Sequence, residues 1–364
     1  MSTSRRDFIK LAGTAAVAST LAESGQAQAQ TGDFRRIATE ETFAIPEYME
    51  AATELITKNP DHEPGWLNYI SGEFAFYDKV IRQMLDLDAE RLSLMDAAGV
   101  DVAVLSLWNP GVQMFEASQG IELAKISNDR LAAAIKRHPT RYAGLAAVAP
   151  QDPQAAALEV ERAMQSLSLN GVLINSHTND EFLDDQKFWP IFEAAVANDA
   201  PIYIHPRQPP AQMADAFSDY SMDKALWGYA IETSTHMLRL IMAGVFDQFP
   251  DLKIVLGHMG EGLPFWMHRL DTIGGLPTTA ATIKRKPSEY IRDNFIMTTS
   301  GMSWDPALKF TIEVLGADKV MFAVDYPFGS YERDTKWLNA ADISHADKAL
   351  VYGGNAERVF KIKS

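Results

Sequence analysis

Short apolar runs recur along the chain, and longer segments with a helical spacing of apolar residues lie between them. The runs are Arg36 to Glu41, Asp101 to Leu107, Tyr142 to Val148, Gly171 to Asn175, Pro201 to His205, Leu252 to His258, Phe295 to Thr299 and Lys319 to Asp325. They read as continuously apolar rather than alternating, the pattern of strands buried on both faces. Between them, Asp86 to Ala98 carries Leu87, Leu92, Leu94 and Met95 in helical register before Gly99. Gln154 to Ser166 and Asp185 to Asn198 follow the same period. Strand alternating with helix through the whole series predicts an α/β fold, a closed parallel (β/α)₈ TIM barrel. An open doubly wound sheet would carry a glycine-rich phosphate loop after its first strand, and none follows here.

The 364 residues, 47% of them hydrophobic, suit one such barrel of roughly 250 residues with insertions. Two connections leaving the C-terminal ends of strands are long. Residues 44–85 carry Trp66, Tyr69, Phe74, Phe76 and Tyr77, and residues 206–224 carry Pro206, Pro209 and Pro210. Barrel active sites lie at those strand ends, so both segments are expected to act as lids or pocket walls.

The N-terminal string Ser4-Arg5-Arg6-Asp7-Phe8-Ile9-Lys10 resembles the twin-arginine export signal. A moderately apolar stretch, Leu11 to Ala22, comes next, and Ala27-Gln28-Ala29 offers small residues to a signal peptidase. The apolar stretch is too short and too weak to span a bilayer. Residues 1–29 therefore read as a signal peptide and 30–364 as the barrel domain. That implies passage through the twin-arginine machinery to the periplasm, without membrane insertion. A basic amphipathic N-terminal helix is the alternative.

Charge narrows the partners. Lys and Arg number 33 against 48 Asp and Glu, a net of −15. A body of that sign repels nucleic acid and anionic membrane surfaces. It also repels an anionic substrate at long range, so a carboxylate substrate would require local positive charge. The absence of cysteine excludes disulfides, thiolate ligands and a Cys nucleophile.

Candidate chemistry gathers at the strand ends. The first run ends in Glu40-Glu41-Thr42, the fifth in His205, the sixth in His258 followed by Met259-Gly260-Glu261, and the eighth in Asp325. A barrel brings these onto one rim, where two carboxylates and one or two imidazoles make a divalent-metal site. Singly, each such His is more often a packed residue and each such Asp a turn former or cap. Their joint placement favours the metal. His177 comes after the fourth run and is a candidate for reaching the pocket, and His236 is expected to pack within a helix.

Several strings carry a resemblance to a known family. They are Ala38-Thr39-Glu40-Glu41-Thr42-Phe43, Met95-Asp96-Ala97-Ala98-Gly99-Val100-Asp101, Tyr203-Ile204-His205-Pro206-Arg207, Leu256-Gly257-His258-Met259-Gly260-Glu261-Gly262-Leu263-Pro264, Thr298-Thr299-Ser300-Gly301 and Asp325-Tyr326-Pro327-Phe328. Together they are similar to the γ-resorcylate and 2,3-dihydroxybenzoate decarboxylase branch of the amidohydrolase superfamily, from about residue 36 onward. The resemblance implies a barrel of the metal-dependent hydrolase type holding one divalent ion, Zn²⁺ or Mn²⁺ first and Mg²⁺ after them. It implies Glu40, His205 and Asp325 as ligands, with His258 at metal or substrate and Glu261 orienting its ring. Arg269 occupies the place of an arginine lining the family's substrate site. Arg207 is a second candidate for that charge, against a surface salt bridge. The family's frequent second ligand, two residues after the first glutamate, is Thr42 here. The family's habit also implies a homo-oligomer, a dimer or tetramer.

The activity so implied is non-oxidative decarboxylation of a small hydroxylated aromatic acid of the ortho-hydroxybenzoate type. Direct loss of CO₂ would leave an unsupported aryl anion. Protonating the ring carbon that bears the carboxylate avoids it, and Asp325 is the candidate acid. Hydrolysis of an ester, lactone or amide on the same residues is the alternative activity. A non-catalytic barrel is a third, disfavoured by the retention of Glu40, His205, His258, Glu261 and Asp325.

Overall fold

The computed structural model describes residues 34–363 apart from 73, 74, 277, 278 and 280–282. The expected signal peptide and Phe74 lie outside the described residues.

Eight parallel strands succeed one another around the barrel in sequence order: β1 (Ile37–Phe43), β2 (Val102–Leu107), β3 (Tyr142–Ala147), β4 (Gly171–Ile174), β5 (Ile202–Ile204), β6 (Ile254–Leu256), β7 (Phe295–Thr298) and β8 (Val320–Met321). Backbone bonds from Thr39 N to Phe322 O (3.1 Å) and from Thr42 N to Tyr326 O (2.9 Å) join the two ends. The predicted barrel is therefore present, with each strand inside or overlapping its apolar run. β5, β6 and β8 stop short of their runs' ends, so His205, His258 and Asp325 stand beyond the paired segments, on the rim.

Both faces of the strands are buried, which explains the continuous apolar pattern. Val102, Val104, Leu145, Leu173, Tyr203, Val255 and Ile296 fill the interior. Their neighbours, such as Ala103, Leu105, Ile202, Ile204, Ile254 and Leu256, face the helices. The C-terminal helix Asn355–Phe360 adds Ala356, Val359 and Phe360 to the interior cluster, packed against Ile37 and its neighbours.

The helix predicted from Asp86 begins at Glu90. The Asp86 carboxylate accepts instead from the backbone of Asp88, Ala89 and Arg91 (3.0–3.1 Å), so residues 86–89 form a capping turn. The one predicted from Asp185 opens with a 3₁₀ turn at 186–188 and becomes an α-helix over Trp189–Ala197. The connection 44–85 is not loop. It holds helices Pro46–Lys58, Leu67–Ile70 and Ala75–Leu85. In the first, Tyr48, Ala52 and Ile56 recur every four residues and bury one stripe. Among the described residues no helix is long and apolar enough to cross a membrane.

Candidate metal and active site

β1 departs from simple alternation where it meets the site. Ala38 pairs with Ala103 and Glu41 with Leu105, so three steps on β1 oppose two on β2. The extra residue is a β-bulge, which reverses the facing of the residues beyond it. Glu40 points into the barrel mouth, whereas Glu41 turns toward the surrounding helices. There Glu41 accepts from Val324 N and Tyr326 N at 3.2 Å each. Burial raises its carboxyl well above the ordinary range, against a Tyr331 hydrogen bond and the charge of Arg91. Glu41 thus braces the chain leaving β8.

Glu40 is held from one side only. Its Oε2 accepts from Thr298 Oγ1 at 3.1 Å and from the hydroxyls of Tyr203 and Ser300. Its Oε1 is buried without a hydrogen-bond partner and lies 3.6 Å from His205 Nε2. An oxygen left in that state costs on the order of 1–3 kcal/mol or more unless a cation meets it. His205 Nδ1 donates to Pro206 O at 2.8 Å, which leaves the Nε2 lone pair facing Glu40. Burial lowers the pKa of this imidazole, keeping it in the neutral form that metals bind. Ligand atoms of Glu40, His205 and Asp325 all lie within 4.8 Å of one another. Burial and the Glu40 charge raise the Asp325 carboxyl well above its usual range, while His258 opposes them. Two carboxylates so close call for a divalent ion. The donor set, one nitrogen and two carboxylates, suits Mn²⁺ or Zn²⁺. Thr42 lines the neighbouring cavity and adds no imidazole, and among the described residues Glu40, His205 and Asp325 are the group that could hold the ion.

His258 enters from a left-handed turn. His258, Met259, Gly260, Glu261 and Gly262 all have φ between 52° and 80°, a conformation that costs an L-residue roughly 1–2 kcal/mol. Met259 N bonded to Thr298 O (2.8 Å) and Leu263 N bonded to Gly260 O (2.9 Å) hold it. The turn folds Glu261 Oε1 back to 2.7 Å from His258 Nδ1, leaving Nε2 to the cavity. Burial pulls this imidazole's pKa down, but the charges of Glu261, Glu40 and Asp325 outweigh it and hold it at about 10. Space here is tight. A Cβ on Gly301 would come within 2.9 Å of His258 Cδ2, and one on Gly257 within 3.1 Å of both Glu40 oxygens.

His205, His258 and Asp325 line one end of a cavity of about 270 Å³, near the lower limit for small-molecule pockets. Trp66, Tyr69, Tyr77, Trp108, Tyr229 and Phe328 supply aromatic walls. Both long connections contribute, as expected. Phe76 is exposed and takes no part.

Three expected substrate contacts are not brought to this cavity. Arg269 is exposed on helix Leu263–Gly274, on the stripe of Phe265 and Ile273 and opposite the buried Leu263 and Met267. Arg207 forms an ion pair with Glu63 that is buried rather than superficial, with side-chain exposures of 8% and 9%. It also donates to His177 O at 3.2 Å. His177 Nε2 bonds to Gln208 O at 2.9 Å, and burial and Arg207 lower its pKa to about 4. Arg207 and His177 thus anchor the wall segments. His236 packs as expected, wholly buried and bonded to Leu183 N (2.9 Å) and Ser176 Oγ (2.9 Å). Sequence reasoning missed Tyr203, Thr298 and Ser300 as the clasp on Glu40. Their inward facing on β5 (Tyr203), at the end of β7 (Thr298) and just after it (Ser300) was the available signal.

A (β/α)₈ barrel with a Glu–His–Asp divalent-metal site at its C-terminal rim defines a class. Within that class, residues 67–362 match the amidohydrolase family, and the chain belongs to it. It is 34% identical to a γ-resorcylate decarboxylase of Polaromonas over 337 residues, covering 90% of this chain and 98% of the relative. The structure of 5-carboxyvanillate decarboxylase from Sphingomonas paucimobilis superposes with a TM-score of 0.88 at 46% identity, over 91% of this chain and all of that one. A 5-carboxyvanillate decarboxylase from Novosphingobium aromaticivorans, solved with manganese and 4-hydroxy-3-methoxy-5-nitrobenzoic acid, gives 0.86 at 38% identity, over 90% of this chain and 96% of that one.

Proposed function

We propose that the chain is a metal-dependent, non-oxidative decarboxylase of an ortho-hydroxybenzoate-type acid. The observation that carries this reading is Asp325 at one end of an aromatic-walled cavity, beside the partnerless Oε1 of Glu40 and the free Nε2 of His205. The relatives' activities favour a carboxy-lyase over hydrolysis of an ester, lactone or amide, and their manganese puts Mn²⁺ ahead of Zn²⁺ and Mg²⁺. A bound divalent ion supplies a Lewis acid that favours the ionised phenol and fixes the ring's orientation.

The protein's own groups do the rest. Trp66, Trp108 and Tyr229 flank a flat ring and exclude water from it. The imidazolium of His258, oriented by Glu261, holds the substrate carboxylate. Asp325 passes its proton to the ring carbon bearing that carboxylate. The electron pair of the carbon–carbon bond then returns to the ring as CO₂ leaves, and Asp325 regains a proton from solvent. Wild-type protein incubated with hydroxybenzoates should release CO₂. Acid release from esters or lactones, with no CO₂ from any hydroxybenzoate, would favour the hydrolase instead.

The pH profile tests His258. Its pKa is raised, so the cationic form persists on the acidic side and is lost as pH climbs through that value. Glu261→Gln removes the largest upward influence, so the alkaline limb of kcat/KM should move to lower pH. A limb that stays in place would take the charge of His258 out of the reaction.

For the N-terminal segment we propose export by the twin-arginine pathway to the periplasm, supported by Arg5-Arg6 and Ala27-Gln28-Ala29. Changing Arg5 and Arg6 to Lys should leave active protein in the cytoplasm. Undiminished periplasmic delivery would overturn this.

A further inference from the structure

β8 ends at Met321, yet Ala323, Val324 and Tyr326 beyond it are buried, so their amides need acceptors. Side chains supply them. Ala323 N donates to Thr299 Oγ1 at 3.0 Å. Val324 N donates to Glu41 Oε1 and Tyr326 N to Glu41 Oε2, both at 3.2 Å. The two amides that flank Asp325 therefore end on the two oxygens of one carboxylate.

Asp325 depends on that clamp. Its φ is 63°, left-handed backbone that few residues with a Cβ adopt. A return to negative φ would swing its carboxyl away from Glu40 and His205. Gly329 N on the Asp325 carbonyl (2.7 Å) and Thr42 N on the Tyr326 carbonyl (2.9 Å) hold the turn from its other side. The Tyr326 ring is fixed as well, with the Arg91 guanidinium 4.8 Å over it and Tyr331 stacked at 4.8 Å.

The residue type at position 41 follows from this task. Glu41 is wholly buried, and burying a carboxylate is costly. An apolar side chain would avoid that cost but accept from neither amide. Glutamine would accept from one and set its own NH₂ against the other N–H. A carboxylate accepts from both. The bulge in β1 thus gives adjacent glutamates separate roles: Glu40 faces His205 and Asp325, and Glu41 holds the backbone that carries Asp325.

We propose that Glu41 is a positioning residue for the reaction: it locks the backbone on both sides of Asp325 and so aims that carboxyl into the site. This rests on the reading of Asp325 as the acid of a decarboxylase. Glu41 touches neither substrate nor metal, and acts through Asp325.

The test is read on Mn²⁺ affinity and on turnover. Asp325 also belongs to the group that could hold the ion, so Glu41→Gln should weaken Mn²⁺ binding about 10–100-fold when the Asp325 side chain is present. Asp325→Ala leaves no side chain to aim, and adding Glu41→Gln to it should change the dissociation constant by less than about twofold. At saturating Mn²⁺, Glu41→Gln should lower kcat for a hydroxybenzoate roughly ten- to hundredfold with KM little moved, because a displacement of about 1 Å in a reacting group carries that cost. Glu41→Asp, which keeps both acceptor oxygens, should lose less, and it enters the same comparison if Glu41→Gln does not fold. An equal loss of Mn²⁺ affinity with and without the Asp325 side chain, or a Glu41→Gln enzyme with wild-type kcat, would overturn the role of Glu41 and leave the decarboxylase reading standing. A wild type that binds Mn²⁺ and releases CO₂ from no hydroxybenzoate would overturn that reading, and the Mn²⁺ comparison would still decide whether Glu41 aims Asp325.

Discussion

Replacing Asp325 with Asn is expected to leave a hydroxybenzoate bound but its carboxylate in place. Asparagine preserves the side chain's shape and one oxygen for the metal site, and removes the proton. Burial and the Glu40 charge raise the carboxyl of Asp325 in the protein alone, and a general acid at this position is what the proposed chemistry requires. Loss of such an acid costs about 10²–10⁴ in rate. CO₂ release should fall by that factor, with binding of the aromatic acid retained and metal content measured on the same sample. Wild-type turnover in D₂O should place deuterium on the carbon that lost the carboxylate. An Asp325→Asn protein with full metal and near-normal CO₂ release would remove Asp325 from the chemistry. The donor would then be sought at His258, which faces the same cavity.

His205→Ala should lose both metal and activity. With Glu40, His205 and Asp325 as the group that could hold the ion, one deletion leaves two carboxylates and no imidazole among them. Tyr203→Phe gives a graded comparison. It removes one of the hydroxyls on Glu40 Oε2 and leaves every ligand in place. Loss of such a supporting bond typically weakens metal binding about 10–100-fold, and His205→Ala should exceed that. Elemental analysis reads the metal directly. A second readout is thermal: Mn²⁺ at a hundred times its dissociation constant should stabilise the wild type by about 2.7 kcal/mol and should not move His205→Ala. Full metal content in His205→Ala would show the ligand set to be wrong.

Much of this architecture is legible in the chain. Strands buried on both faces leave continuous apolar runs, and the helices between them leave a four-residue stripe, so the order of elements can be read from composition and spacing. Three of the rim residues were legible because each stands at the end of such a run: His205 after Ile204, His258 after Gly257, Asp325 after Val324. The helices within 44–85 were not. In the two shorter ones, Leu67–Ile70 and Ala75–Leu85, Tyr69 and Tyr77 line the cavity and break the apolar stripe.

Arg269 and Arg207 show the limit of motif and charge. Either is a reasonable partner for a carboxylate, yet helix phase turns the first outward and Glu63, far away in sequence, claims the second. The facing of Glu40 is the sharpest case. Counted by strict alternation from the inward Ile37, Glu41 would face the barrel. The single-residue bulge between Ala38 and Glu41 reverses that and points Glu40 at His205 and Asp325. The barrel, its strand order and the residues available at its rim are properties of the linear chain, because local periodicity encodes them. Which carboxylate turns toward His205 and Asp325 and which cations stay paired are properties of the assembled fold, because register and pairing depend on contacts between segments that the chain's local pattern does not encode.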